Sequence, residues 1–206
     1  MCETSDYNEI KEEKRSWDEK AKTVKDEIEL RGALKNSAAQ LGRSIAQICR
    51  FFGGGGSKNL FLDVGCGNAL FTFPMADIFE FVVGIDISKD MIKRCQEKRA
   101  NLDFIMGSAT DLPFKDGVFD AIQSLSLLQH LRTKLNVEKT LREVSRVASH
   151  KSKIFLTFWD TPNSPTKYVR QILKSEGYRV QQSWISKFQF TGLQLTKYVK
   201  LKCFRK

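Results

Sequence analysis

With 206 residues, 41% of them hydrophobic and 28% charged, the chain is long enough for one domain with a buried core. No apolar run reaches the ~18 residues that a membrane-spanning helix needs, and the acidic start Met1-Cys2-Glu3-Thr4-Ser5-Asp6 predicts no secretory signal. The formal charge of +10 sits in the last quarter: residues 151–206 hold twelve Lys/Arg against Asp160 and Glu176 alone, which makes an anionic partner worth weighing.

Taken in chain order, residues 7–52 lack proline and read as helical. Ile28, Leu30, Leu34, Ala38, Leu41, Ile45, Ile48 and Phe52 recur at three- and four-residue steps, an amphipathic stripe; Tyr7 and Trp17 lie on a more polar stretch upstream. Gly53-Gly54-Gly55-Gly56-Ser57 then breaks the pattern. It divides the chain into an N-terminal helical cap or lid, residues 1–56, and a second region, residues 57–206, that alternates strands and helices. Strands are predicted near 59–64, 81–86, 102–106, 119–125, 153–159, 178–185 and 192–204, and helices near 68–78, 88–99, 135–148 and 164–176. Ser88 is a predicted N-cap. Such alternation implies a parallel α/β sheet covered on both faces. The last two strands are joined by the short stretch Lys187 to Thr191, so they must pair antiparallel, with Leu193, Leu195, Val199, Leu201 and Cys203 on one face. Five scattered cysteines (Cys2, Cys49, Cys66, Cys95, Cys203) without a CxxC spacing predict reduced thiols, a cytoplasmic setting and no metal site.

The segment Leu60 to Ala69, LFLDVGCGNA, carries the most information. An apolar strand runs into a turn in which Gly65 and Gly67 let a ligand approach the backbone, and the next strand, Val82-Val83-Gly84-Ile85-Asp86, ends on a carboxylate. This is the layout of a nucleotide-binding βαβ unit whose terminal acid grips ribose hydroxyls. A dinucleotide site wants a third glycine and a helix N-terminus aimed at a pyrophosphate; here Leu70 stands at that position, and Asp63 precedes the first glycine. A carboxylate beside the turn suits a cationic, phosphate-free ligand such as S-adenosylmethionine (SAM) better than NAD.

The chain resembles the class I SAM-dependent methyltransferases, most closely the type 11 group that includes ubiquinone- and menaquinone-pathway enzymes. The resemblance spans about residues 58–160. It rests on Asp63 to Asn68, on Gly84 to Ser88, on Gly107-Ser108-Ala109-Thr110-Asp111-Leu112-Pro113-Phe114, on Phe119 to Ile122 with Leu128-Gln129-His130-Leu131, and on Leu141 to Val147. It departs from the pattern at Ala69, where a glycine is common, at Ser108, where an aspartate is common, and at Ala148 to Ser152, which takes the place of a Pro-Gly-Gly turn. The resemblance implies a Rossmann-like, mostly parallel seven-stranded sheet with an antiparallel last strand. It also implies a SAM-binding set of Asp63, Gly65, Cys66, Gly67, Asp86, Ile87, Ser108, Ala109, Thr110 and Ser124. Gly65 and Gly67 would approach the methionine moiety, Ala109 the adenine, and Ser124 the methionine amine; Cys66 reads as a small filler.

Topology puts His130 after the fourth strand, at the carboxyl end where ligands bind in such sheets. It is the candidate catalytic base, or a wall of the pocket; His150 belongs at the opposite end. Tyr7, Trp17 and Trp159 are candidate substrate contacts, whereas Phe51 and Phe52 read as core. Three readings of the function stay open. The acceptor is a small molecule held under the N-terminal helices; or it is RNA such as tRNA, tracked by Lys197, Lys200, Lys202, Arg205 and Lys206 with Tyr198 and Phe204 interleaved; or the chain binds SAM as a non-catalytic regulator.

Overall fold

A computed structural model describes residues 3–23, 38–96, 102–187 and 197–205. Seven strands, β1 (Leu60–Val64), β2 (Phe81–Asp86), β3 (Asp103–Met106), β4 (Phe119–Leu125), β5 (Ala148–Trp159), β6 (Tyr178–Lys187) and β7 (Lys197–Arg205), form one sheet in the order β3-β2-β1-β4-β5-β7-β6. The first five run parallel, and β7 pairs antiparallel with both β5 and β6. The helices are α1 (Glu3–Thr23), α2 (Ala38–Gly53), α3 (Lys89–Gln96), α4 (Lys134–Val147) and α5 (Thr166–Ser175). This is the Rossmann-like α/β sheet with a reversed last strand that the sequence predicts.

The strands are near-continuous apolar runs because both faces of the sheet are covered. Alternate residues of β1 serve different layers. Leu62 and Val64 pack with Ile122, Ile154, Leu141 of α4 and Leu173 of α5. Phe61 points to the other face, where Ile48 and Phe52 of α2 join Phe79 and Phe155. Phe52 meets the Phe61 ring edge-on at 5.1 Å and is core, whereas Phe51, 5.4 Å from Phe155, is partly buried against it. On β7, Val199, Leu201 and Cys203 are fully buried on one face; Leu193 and Leu195 fall outside the described residues, as do Ile28, Leu30 and Leu34.

Two predicted elements differ. No α-helix spans 68–78: the chain makes turns and then a short 3₁₀ helix, Phe73–Asp77, with Pro74 in its first turn. Ala69 has φ +61°, a left-handed conformation in which a right-handed helix cannot start. Residues 148–152 are not a turn either. Strand β5 begins directly after α4, and its register with β4 jumps from Phe119↔Ala148 to Ala121↔Lys153, so the extra residues form a bulge. His150 is exposed there, at the amino end of the sheet.

The glycine run is tied down. Lys58 Nζ donates to Gly53 O at 2.5 Å, and Lys153 Nζ donates to the carbonyls of Gly54 and Gly55. Two ammonium groups thus sit at the C-terminal end of α2, where the unpaired carbonyls and the dipole favour positive charge. With Ile48 and Phe52 buried, α2 is seated against the sheet. Other C-terminal cations are also used internally. The buried Lys200 donates to Gln47 of α2, Lys202 lies 5.3 Å from the Phe51 ring, and Arg205 donates to Ser145 O and Ala148 O. Lys206 and the side chains of Lys197 and Tyr198 lie outside the described residues.

Candidate active site

The turn after β1 is locked to the end of β2. Gly65 (φ +76°) and Gly67 (φ +54°) adopt backbone conformations that disfavour side chains. The Gly65 and Cys66 amides donate to Ile85 O at 2.8 and 3.1 Å. The Gly67 amide donates to Asp86 Oδ2 at 2.8 Å, and the Ser88 amide donates to Asp86 Oδ1 at 2.9 Å. Each oxygen of Asp86 therefore has a fixed donor. Burial raises its pKa, and these amides oppose the rise. A Cβ at Gly65 would press on Leu127, whereas one at Gly67 would enter open space, so the turn leaves room for a ligand beside Asp86. Ser88 also caps α3, its hydroxyl accepting from the Met91 amide at 3.2 Å.

The loop after β3 is braced from behind. The Ser108 hydroxyl pairs with that of Thr110 at 2.8 Å and accepts from the Thr110 amide. Glu143 accepts from the Leu112 amide at 2.8 Å, and Arg146 donates to the carbonyls of Leu112 and Phe114 and to Glu143. Glu143 and Arg146 of α4 thus fix this loop.

Between these parts lies a cleft of about 1020 Å³, a volume that includes the solvent at its open mouth. Gly65, Gly67, Asp86 and Ile87 form one wall; Ser108, Ala109 and Thr110 form another; Leu125, Ser126, Leu127 and His130 close the end of β4. Glu13 and Trp17 of α1 form the roof. Helix α1 is tied at both rims of the cleft. Asp18 accepts from Ser88 Oγ at 2.6 Å, and Lys22 pairs with Asp90 at 3.3 Å; across the cleft Glu12 pairs with Arg132 at 2.5 Å, and Trp17 meets His130.

Nine of the residues expected from sequence line this cleft: Gly65, Gly67, Asp86, Ile87, Ser108, Ala109, Thr110, His130 and Trp17. Four others lie elsewhere. Asp63 is buried beneath the turn, where Oδ2 accepts from Thr72 Oγ1 at 2.5 Å and from Gln123 Nε2 at 2.7 Å; it braces the turn and does not line the cleft. Cys66 packs under β2, its sulfur only 2.9 Å from where a Cβ on Gly84 would stand, and burial pushes its thiol pKa well up. Ser124 is buried behind the wall that the next three residues make. Trp159 lies outside the lining and engages Gln129 through its backbone amide. The Tyr7 side chain falls outside the described residues.

Among the described lining residues that the sequence did not single out, such as Ser126 and Leu127, Glu13 is the ionisable one. It stands one helical turn before Trp17, on the same face. Burial lifts its pKa from 4.5 to about 7; Arg132 opposes the rise and Asp86 adds to it. His130 moves the other way. Burial, then the Lys20 ammonium, hold the imidazole down to about 4, so the ring is neutral at pH 7 and poorly matched to accept a proton there.

Residues 62–156 match the family model described as a methyltransferase domain. Over this stretch, a little under half of the chain, the sequence is that of a methyltransferase domain. This domain is similar to ajmaline N-methyltransferase of Rauvolfia serpentina, with 34% identity over 148 residues, 68% of this chain and 49% of that protein. It is also similar to the tRNA (carboxymethyluridine(34)-5-O)-methyltransferase of Arabidopsis thaliana, with 30% identity over 110 residues, 53% of this chain and 26% of that protein. The chain thus spans half or less of these curated relatives. In fold it matches the magnesium protoporphyrin IX methyltransferase of Synechocystis PCC 6803, a structure with bound SAM, with a TM-score of 0.63, 20% identity, and coverage of 80% of this chain and 79% of that one. Among the described residues, no helix is long and apolar enough to cross a membrane, and no group of His, Cys, Asp and Glu is placed to hold a metal ion.

Proposed function

We propose that the protein transfers the methyl group of SAM to a small-molecule acceptor held in the cleft beneath α1. The observation that carries this reading is the pairing of the fixed Asp86 carboxylate with open space at Gly67 on one wall of a roofed cleft. When bound, SAM supplies an electrophilic methyl group on a sulfonium sulfur. Asp86 holds the ribose hydroxyls, Ile87 and the Ser108–Thr110 loop flank the adenine, and Ser126 with Leu127 bounds the methionine end. Helix α1 keeps water from the reacting atoms. Methyl transfer asks the protein chiefly to align nucleophile, methyl carbon and sulfur.

The cofactor choice follows from the turn. A pyrophosphate would need an α-helix N-terminus directly after the glycines, and here Ala69 is left-handed and only a 3₁₀ helix follows. The acceptor choice follows from the roof and from the cations of β7. A lid tied at both rims suits a ligand that fits inside. Lys200, Lys202 and Arg205 pack against α2, Phe51 and backbone carbonyls and are not spread over a phosphate-tracking surface. The tRNA-acting relative keeps an RNA acceptor as the second reading. The protein incubated with methyl-labelled SAM and a cell extract, followed by separation of RNA from metabolites, tests the choice. Label in the metabolite fraction is expected, and label confined to RNA overturns the small-molecule reading.

A further inference from the structure

Resting on the proposed methyl transfer, we infer that the acceptor is an amine and that the Glu13 carboxylate is the general base that takes its proton. The cleft has two sides. The glycine turn, Asp86 and the Ser108 loop line the part assigned to the cofactor, while Glu13 and Trp17 roof the cleft from α1 with His130 against Trp17. Glu13 and Asp86 are its ionisable carboxyls, and no lysine or arginine lines it among the described residues. A carboxylate- or phosphate-bearing acceptor would bring a further negative charge into this partly desolvated space with no lining cation to receive it. An amine meets a carboxylate at Glu13, beside the rings of Trp17 and His130.

The groups facing Glu13 support this role. Asp86 on β2 repels its charge. Arg132, which attracts it, is already paired with Glu12 at 2.5 Å. His130 is held as neutral imidazole, so it cannot serve as a cation for an anionic acceptor, nor is it a matched base near pH 7. On α1 itself, the Lys20 ammonium lies 4.2 Å from the Trp17 ring centroid, and Asp18 is engaged with Ser88. A carboxyl that titrates near pH 7 is poised to accept a proton during turnover and release it afterwards.

The step balances. The lone pair of a neutral amine nitrogen forms the N–C bond to the methyl carbon. The C–S bond breaks with its electron pair going to sulfur, leaving S-adenosylhomocysteine (SAH), and one N–H proton passes to Glu13. No other reactant is needed.

The test uses wild type, Glu13→Gln and Glu13→Asp. SAM and SAH are titrated first by calorimetry, with all three expected to bind them within about threefold of one another. Tryptamine, tyramine and benzylamine, and the alcohols and carboxylic acids of the same carbon frames, are then titrated into the SAH complex and offered to the SAM-loaded protein. At least one amine is expected to bind the wild-type SAH complex roughly tenfold or more tighter than its matched acid and to take the methyl label. Glu13→Gln should erase that preference and lower turnover by roughly 100-fold or more, with Glu13→Asp restoring part of it. Equal or tighter binding of the acids, label in alcohols or acids in place of amines, no labelled amine from a wild type that binds SAM, or full activity in Glu13→Gln overturns the proposal. Failure of the wild type to bind SAM overturns the cofactor reading beneath it, and the inference falls with it.

Discussion

The indole of Trp17 meets the imidazole of His130 edge to face, with ring centroids 4.9 Å apart and planes at 90°. This contact joins α1 to the segment that follows β4, across the mouth of the cleft. It makes the roof and the floor of the site one packed unit, and such pairs are worth about 0.5–1.5 kcal/mol beyond their buried area.

Trp17→Ala removes the contact while leaving the Asp18–Ser88 and Glu12–Arg132 ties. Faster amide exchange is expected along α1, together with weaker SAM binding by up to about tenfold, matching the contact's worth. Unchanged exchange in α1 would show that the helix is held by its charged rims alone.

Stability should respond to pH in two opposed windows. Glu13 has a raised folded pKa, so its contribution is fully present below 4.5 and is lost as pH rises towards 7, because the unfolded chain sheds this proton first. His130 has a lowered folded pKa, so its contribution is present above 6.5 and is lost as pH falls towards 4, where the unfolded chain takes up a proton the native state refuses. Thermal melts of wild type and Glu13→Gln check the first window. The variant's Tm advantage should grow from pH 5 to pH 8; a difference independent of pH contradicts the assignment.

Asp63→Ala leaves the donors Thr72 Oγ1 and Gln123 Nε2 without their buried acceptor. An unsatisfied buried polar group costs about 1–3 kcal/mol, so a clear loss in denaturant midpoint is expected. Because Asp63 lies outside the cleft, the folded variant should still bind SAM. Affinity lost to the same degree as in an Asp86 variant would place Asp63 in contact with the ligand after all.

Ala69→Gly tests the left-handed turn. In a helix this change costs about 1 kcal/mol, but at φ +61° relief of about 1–2 kcal/mol of strain offsets the ~0.8 kcal/mol lost with a buried methyl. Stability within about 1 kcal/mol of wild type, or above it, is expected from urea melts. A loss as large as that of a helical glycine would contradict the conformation.

The parts legible in the sequence are those set by local, repeated chemistry. The apolar runs of β1, β2, β4 and β5 need only a covered sheet to be right, and Gly65, Gly67 and Asp86 are fixed by the turn they form. Asp63 was less legible because a motif gives sequence spacing without direction: in a strand, successive side chains point to opposite faces, and Asp63 points to the turn's underside, while Cys66 is the small filler that its place in the motif implied. Ser124 is buried one residue from the wall for the same reason. The helix at 68–78 failed because apolar spacing does not report the left-handed Ala69. Glu13 was hidden among charged residues of α1, most of them solvated. Its one local signal was its position four residues before Trp17, and only the docking of α1 across the cleft gave that spacing a meaning.

The most direct test of the account is calorimetric titration of SAM and NAD into wild type and Asp86→Ala. Removal of Asp86 deletes the acceptor of the Gly67 and Ser88 amides and the carboxylate assigned to the ribose. Wild type is expected to bind SAM and not NAD, and Asp86→Ala, folded by circular dichroism, to lose at least roughly tenfold in SAM affinity, the worth of a charge-assisted hydrogen bond or more. NAD binding in place of SAM, or SAM binding untouched by the substitution, would contradict it.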